Sequence, residues 1–156
     1  MRRSILASGR SELITFPAFN QLKPFEPITY PFEQQPGPGE ALAIAPGVLW
    51  VRMPLPFELN HINLWLLEEE DGWTLVDTGL NLDDIKANWE AVLAAHCRDK
   101  PVRRIIVTHC HPDHLGLARW LGAKTGAATW ITQGEILNAY AWFHQLPNYD
   151  VDGMVG

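Results

Sequence analysis

The sequence is poor in cysteine and has no long apolar run. Its 156 residues include only two cysteines, Cys97 and Cys110, too few for the disulfide scaffold of a small secreted domain. We therefore expect both to be free thiols and the protein to be cytoplasmic. No stretch approaches the ~18 consecutive apolar residues of a membrane helix. The opening segment "MRRSILASGR" also lacks the apolar centre of a signal peptide, so we expect no membrane partner.

The sequence also contains fewer basic than acidic residues. Lysine and arginine together number 12 against 18 acidic residues, which gives a formal net charge of −6. A nucleic-acid partner is not expected, because binding to phosphates favours a basic surface. Hydrophobic residues make up 47% of the chain and charged residues 19%. These values, with the length, predict one globular domain that has a real core.

Proline is unevenly distributed. Nine of the twelve prolines fall between Pro17 and Pro56, several of them in "PFEPITYPFEQQPGPGE". Such a segment cannot form a helix and makes a poor central strand. We expect residues 1–44 to form an extended arm and residues 45–156 to form the globular part.

From Val48 onwards the hydrophobic pattern predicts alternating strands and helices. The segments "VLWVRM", "INLWLL", "WTLVD", "RRIIVT" and "ATWI" favour strands, and "EEEDG" favours a hairpin loop. "NLDDIKANWEAVLAAHC" predicts a helix with Asn81 as its N-cap, and "LGLARWLGAKTG" a helix ended by Gly126. "TQGEILNAYAWFH" predicts a helix that opens with a capping box of Thr132 and Glu135. The fold class is therefore mixed, with α and β elements in one domain.

The stretch "THCHPDHLG" predicts a metal site. In an extended chain, His109 and His111 project to the same side and can converge on one ion. Pro112 keeps His111 out of helical geometry, and Asp113 and His114 then begin a helix. Both can reach a second point a few ångströms from the first. Imidazole and carboxylate suit zinc and also accept iron or manganese.

Other interpretations remain open for the histidines and for Cys110. The motif histidines could be solvated loop residues, although three histidines and an aspartate in six positions favour a metal. His61 fits strand packing or cleft lining, His96 lies on the apolar stripe of a helix, and His144 fits a helix end better than a ligand role. Cys110 should point away from the two histidines that flank it. Two aromatic residues near the end of the last helix are candidates for lining a substrate cleft, namely Trp142 and Phe143.

The motif "HCHPDH" matches the pattern H-x-H-x-D-H and resembles the metallo-β-lactamase superfamily. Upstream, "NHINLWLLEEEDGWTLVDTGL" is similar to the opening strands of that superfamily, which end in an Asp-Thr-Gly turn. The resemblance covers roughly Val48 to Ala139. Within the superfamily, the sequence is similar to the glyoxalase II-like and β-lactamase-like hydrolases. It implies an α+β fold, the first half of a four-layer αβ/βα sandwich.

The resemblance also implies roles for individual residues. His109 and His111 would bind a first zinc ion, and Asp113 and His114 a second. A hydroxide bridging the two ions would attack an ester, thioester, lactone or phosphodiester of a small molecule, and Asp113 would also help to orient it. Asp77 would support the ligands from a second layer, although a turn-capping role is the alternative.

The same resemblance implies that part of the site is not in this sequence. Members of the family draw further ligands, a histidine in a Gly-His-Thr context, a bridging aspartate and a last histidine, from a second half. His144 has no such context, and neither Asp150 nor Asp152 looks like the bridging residue. We therefore expect the isolated chain to be a poor hydrolase. The alternative is an incomplete or non-catalytic metal-binding half-domain that needs a partner or the missing C-terminal half. The chain could then associate through an uncovered sheet face.

Overall fold

The computed structural model describes residues 28–146, and the chain divides into two units, Met1–Pro31 and Phe32–Gly156. The second unit contains one six-stranded sheet with the strands in chain order. The strands are β1 (Ala41–Ala45), β2 (Val48–Pro54), β3 (His61–Glu68), β4 (Trp73–Val76), β5 (Val102–Ile106) and β6 (Ala128–Trp130). β1 to β4 form an antiparallel meander, and β4, β5 and β6 run parallel. The predicted strands are all present.

Four helices complete the described part of the chain. They are α1 (Asp83–His96), α2 (Pro112–Leu115), α3 (Ala118–Thr125) and α4 (Gln133–Phe143). The predicted N-cap Asn81 is wrong, because α1 starts one residue later with Leu82 in the cap position and no side-chain cap. At α4 one of the two hydrogen bonds of the predicted capping box is present: the Thr132 hydroxyl accepts a hydrogen bond from the backbone N–H of Glu135. Gly126 ends α3 in the left-handed conformation, with φ 75°, as predicted.

The core lies on one face of the sheet, under α1 and α3. Side chains that alternate along the strands point to this face, including Val51, Met53, Leu64, Leu66, Leu75 and Ile105, all fully buried. The helices contribute Ile85, Trp89 and Leu121 to the same core cluster. The indole of Trp89 also donates to the carbonyl of Thr78 at 2.7 Å, so this core residue is fixed to the turn that follows β4.

The opposite face of the sheet is not covered by any described helix. Strand pairing places one residue of each strand in a single transverse row, Leu42, Trp50, Trp65, Val76, Ile106 and Trp130. Within this row Trp130 is 58% exposed and Ile106 36% exposed. β3 carries apolar residues on both faces, with Trp65 and Leu67 on the face opposite the buried Leu64 and Leu66. In β5 the second face is mixed, because Arg104 precedes Ile106 on it.

The topology brings two loops together. β4 and β5 are parallel neighbours, with Val76 paired to Ile106. Asp77 follows β4 and the histidine motif follows β5, so both leave the same edge of the sheet. The chain thus places at one point two segments that are separated by a helix and a strand.

Three further predictions concern the ends of the chain, the thiols and the membrane. The proposed arm 1–44 lies partly outside the described residues; its last part contains β1, so the sheet begins before residue 45, and the domain division stays a prediction. Cys97 and Cys110 are both free, as expected. No helix in the described range is long and apolar enough to cross a membrane.

Candidate metal centre

The backbone of the motif adopts the conformation that its proline predicts. His111 is extended, with φ −61° and ψ 146°, and serves as N-cap of α2 with Pro112 in the first turn. The carbonyl of His111 accepts the N–H groups of His114 and Leu115. The chain therefore passes from strand to helix within the motif, and side chains on both sides of Pro112 face a common region.

His109 and His111 form a first pair of donors. The distance between Nε2 of His109 and Nδ1 of His111 is 3.1 Å. Two nitrogens bound at ~2.0–2.1 Å to a tetrahedral zinc ion would lie about 3.3 Å apart. The pair thus already has the spacing needed to bind one ion between them.

Asp113 and His114 form a second pair. Oδ2 of Asp113 lies 3.5 Å from Nε2 of His114, while the other ring nitrogen of His114 faces Asp77. The rings of His109 and His114 are 3.8 Å apart between centroids. The structure therefore brings together all four residues that the motif identifies, as two adjacent pairs. Their role as ligands stays a prediction.

Asp77 and Thr108 set the orientation of the imidazoles. Nδ1 of His114 donates to Oδ2 of Asp77 at 2.8 Å, since a carboxylate only accepts. The Thr108 hydroxyl donates to the same carboxylate, so it accepts from Nδ1 of His109 at 3.0 Å. Both rings then carry their proton on Nδ1, and Nε2 of each keeps a lone pair for a metal. Such outer contacts fix the tautomer of ligating histidines.

The turn that carries Asp77 is held in an unusual conformation. Asp77 has φ 62°, a left-handed conformation that costs free energy for a residue other than glycine. The next residue, Thr78, is fully buried, and its hydroxyl donates to the carbonyl of His114 at 2.6 Å. Gly116 is packed so closely that an added Cβ would lie 2.8 Å from the carbonyl oxygen of Gly79. These contacts lock the Asp-Thr-Gly turn against the motif.

The pKa values of two residues suit metal binding. Burial would raise the pKa of Asp77, but the hydrogen bonds from His114 and Thr108 outweigh it, and the pKa lies below its ordinary value. Burial together with the neighbouring His114 and His111 lowers the pKa of His109. Asp77 therefore remains a carboxylate, and His109 favours the neutral form that binds metals.

Glu135 is a neighbour of the site that the sequence did not reveal. It was predicted as the capping-box partner of Thr132. Instead, its Oε2 accepts the backbone N–H of Cys110 at 2.8 Å, between the two histidines of the first pair. The only sequence signal was an acidic residue in the first turn of α4. Thr108 was missed in the same way, although it stands directly before the motif.

The other residues considered as metal ligands have different surroundings or lie outside the described residues. His61 contacts Arg52 and Asn60, His96 ends α1, and His144 stacks on Tyr140 with ring centroids 4.2 Å apart. Cys110 is buried, and burial and the Glu135 carboxylate raise the pKa of its thiol, which disfavours a thiolate ligand. Across residues 28–146, no three His, Cys, Asp or Glu side chains form a ready-made metal site. Asp150 and Asp152 lie outside the described residues.

Comparisons with known proteins agree with this architecture. Over 71 residues the chain is 31% identical to the probable metallo-hydrolase YqjP of Bacillus subtilis (strain 168), covering 45% of this chain and 22% of that protein. A β-lactamase domain protein from Burkholderia ambifaria superimposes with a TM-score of 0.65 and 46% identity, over 70% of this chain and 37% of that one. A metallo-β-lactamase family protein from Thermus thermophilus gives a TM-score of 0.58 and 29% identity, over 69% of this chain and 36% of that one.

The matched part is thus a limited portion of each relative, a little over a third of the two solved chains and about a fifth of the curated protein. The α+β fold class and the likeness to metallo-β-lactamase folds are confirmed. The family model of the metallo-β-lactamase superfamily matches residues 58–148, more than half of the chain and the whole of the motif. The chain therefore belongs to the metallo-β-lactamase superfamily.

Proposed function

We propose that this chain supplies the first part of a dinuclear metal-dependent hydrolase site, with His109 and His111 at one ion and Asp113 and His114 at the other. Superfamily membership and the metallo-hydrolase relative support a metal-dependent hydrolase in general. The assignment of ligands to two ions rests on the distances within the pairs, 3.1 Å from His109 to His111 and 3.5 Å from Asp113 to His114. The hydrogen bonds of Asp77 and Thr108 leave Nε2 of His109 and of His114 free to bind a metal.

The donor set fits zinc best, and iron or manganese is also compatible. When bound, such ions lower the pKa of water towards neutrality and polarise the oxygen of a carbonyl or phosphoryl group. The chain's own contribution is orientation. Asp77 and Thr108 hold two imidazoles in one tautomer, and Asp113 places a carboxylate oxygen beside His114, where it can accept a proton or align a nucleophile.

We propose an ester, thioester, lactone or phosphodiester of a small molecule as the substrate. Each pair of donors is short of the three protein ligands that a catalytic zinc ion usually has, and the described residues offer no third donor to either. The isolated chain should therefore bind metal weakly and turn over slowly.

The test is hydrolysis by the purified, zinc-loaded chain of four chromogenic substrates, one from each class. We expect at least one to be cleaved above the zinc-containing buffer, at well below ~1 s⁻¹, with the activity removed by EDTA and by His114→Ala. Equal rates for the chain and for His114→Ala would contradict the proposal. A rate above ~1 s⁻¹ from a proven monomer would contradict the incomplete-site interpretation.

A second candidate function is that of a metal-binding half-domain completed by a partner. It is favoured by the transverse row on the open sheet face, where Trp130 and Ile106 are exposed. An apolar surface of this kind tends to be buried against protein. On this account the partner covers the row and adds the missing ligands.

A further inference from the structure

A second feature lies against the motif loop on the side of α4. A cavity of about 620 Å³ opens between the two, lined by Ile136, Tyr140, Trp142 and Phe143 from α4 and by Cys110 and Pro112 from the motif. Its volume falls within the range of about 300–1,000 Å³ that is typical of small-molecule sites. Trp142 and Phe143, which the sequence analysis considered as residues of a substrate cleft, both line this cavity; their contact with a substrate stays a prediction.

The lining of this groove is mostly apolar. It contains no lysine, arginine, aspartate or glutamate among the described residues, and its polar side chains are Cys110, Tyr140 and His144. Phe143 is 83% exposed and Tyr140 57% exposed, so these two rings of α4 face solvent rather than the core, while Trp142 is half-buried. Covering a helix face of this composition with an apolar group is favourable, because it removes apolar surface from water.

The position of the groove indicates which apolar group that is. Its inner wall contains Cys110, which lies between the first two metal-binding candidates, and Pro112, which precedes Asp113. The same wall is tied to α4, because Glu135 accepts the N–H of Cys110 at 2.8 Å. The groove and the metal pairs thus share the motif loop as a common wall, although none of the four metal-binding candidates lines the groove itself.

We infer that the groove binds the apolar acyl chain of an ester or thioester substrate. This inference rests on the proposed function, because the metal pairs hold the head group to which the chain is attached. It narrows the proposed substrates from esters, thioesters, lactones and phosphodiesters in general to esters and thioesters with a medium-length hydrocarbon chain.

The first experiment uses the metal-free chain, so that it does not depend on metal binding. Binding of 11-bromoundecanoate is followed through quenching of tryptophan fluorescence, since bromine quenches indoles at short range. We expect saturable quenching that is largely lost in Trp142→Phe. Ala139→Trp, which fills the groove, should weaken binding at least about tenfold, whereas Ala87→Trp, at an exposed position of α1, should leave it unchanged.

Other outcomes would overturn the inference. Quenching that persists in Trp142→Phe would place the fatty acid elsewhere, for example on the open sheet face that carries Trp50 and Trp130. Phe143→Glu alters only an exposed side chain and tests the same point without risk to folding. It should also weaken binding, because it sets a charged side chain in the lining that contacts the hydrocarbon chain. Unchanged binding in both Ala139→Trp and Phe143→Glu, or no saturable binding in the parent chain, would refute the groove as an acyl site.

The second experiment separates this inference from the proposed function. Acetohydroxamate and decanohydroxamate share a zinc-binding head and differ in chain length. In the zinc-loaded chain we expect the decanoyl compound to bind at least about tenfold more tightly, with the advantage lost in Ala139→Trp. Binding of both with equal affinity would overturn the acyl site but not the metal site. Bromoundecanoate binding without any hydroxamate binding would overturn the metal site and leave the groove standing.

Discussion

Nδ1 of His114 lies 2.8 Å from Oδ2 of Asp77, although the two residues are 37 positions apart in the sequence. The contact links the turn after β4 to the helix after β5. Because Asp77 also accepts from the backbone N–H and the hydroxyl of Thr108, one carboxylate orients both candidate ligands that carry a free Nε2. The site is therefore organised before a metal arrives.

The first prediction concerns this carboxylate. Asp77→Ala should lower the zinc affinity of the chain by about 10–100-fold, the usual effect of removing an outer-layer partner of a ligand. The measurement is a competitive titration against a zinc chelator. Asp99→Ala removes an exposed carboxylate just after α1 and serves as the control. An affinity equal to that of the control would show that Asp77 only caps the turn.

The second prediction concerns Glu135. Its hydrogen bond to the N–H of Cys110 fixes the peptide between His109 and His111, so Glu135→Ala should weaken zinc binding. Glu135→Gln keeps an oxygen acceptor and should retain most of the affinity. Thermal unfolding of the metal-free variants provides the control for a purely structural effect. Equal affinities of the alanine and glutamine variants would remove Glu135 from the site.

The third prediction follows from the thiols. Burial raises the pKa of Cys97 to about 11, so only about one thiol in a thousand is ionised at pH 8. In a Cys110→Ala variant, reaction of Cys97 with a disulfide reagent should therefore be slow at pH 8. It should accelerate about tenfold for each pH unit up to about pH 10. In denaturant the parent chain should show two fast thiols, and finding none would mean that they are oxidised.

The fourth prediction concerns the transverse row on the open sheet face. We expect the exposed apolar residues of this row to drive self-association, so Trp130→Lys and Ile106→Lys should raise the monomeric fraction in sedimentation experiments. Ile136→Lys, on the groove side of α4, is the matched control. Association that the two row variants do not reduce would show that another surface is responsible.

The fold could be predicted largely from the sequence because local patterns and tertiary packing agree along the chain. The alternation of "INLWLL" matches a strand with one buried face, and Pro112 fixes the strand-to-helix transition at the motif. The start of α1 could not be placed correctly, because Asn81 is a good cap by residue type, whereas the helix begins after Leu82 without a side-chain cap.

The candidate site could likewise be predicted only in part from the sequence. The motif residues are close in sequence, so backbone geometry alone predicts their convergence. The resemblance to a known family identified Asp77. Glu135 and Thr108 escaped notice because their roles depend on distances between elements. In particular, Glu135 reaches across to Cys110 only because α4 lies against the motif loop.

The central claim is that the motif residues bind metal in two pairs, and the zinc content of three proteins tests it most directly. The parent chain, His111→Ala and His96→Ala would be dialysed together against one buffer with a fixed free zinc concentration, high enough to occupy weak sites, and analysed for metal per chain. His111 contributes a nitrogen to the first pair, whereas His96 ends α1 and contacts neither pair, so His111→Ala should lose at least one bound ion while His96→Ala keeps the parent value. Equal zinc content in the two variants would contradict the account.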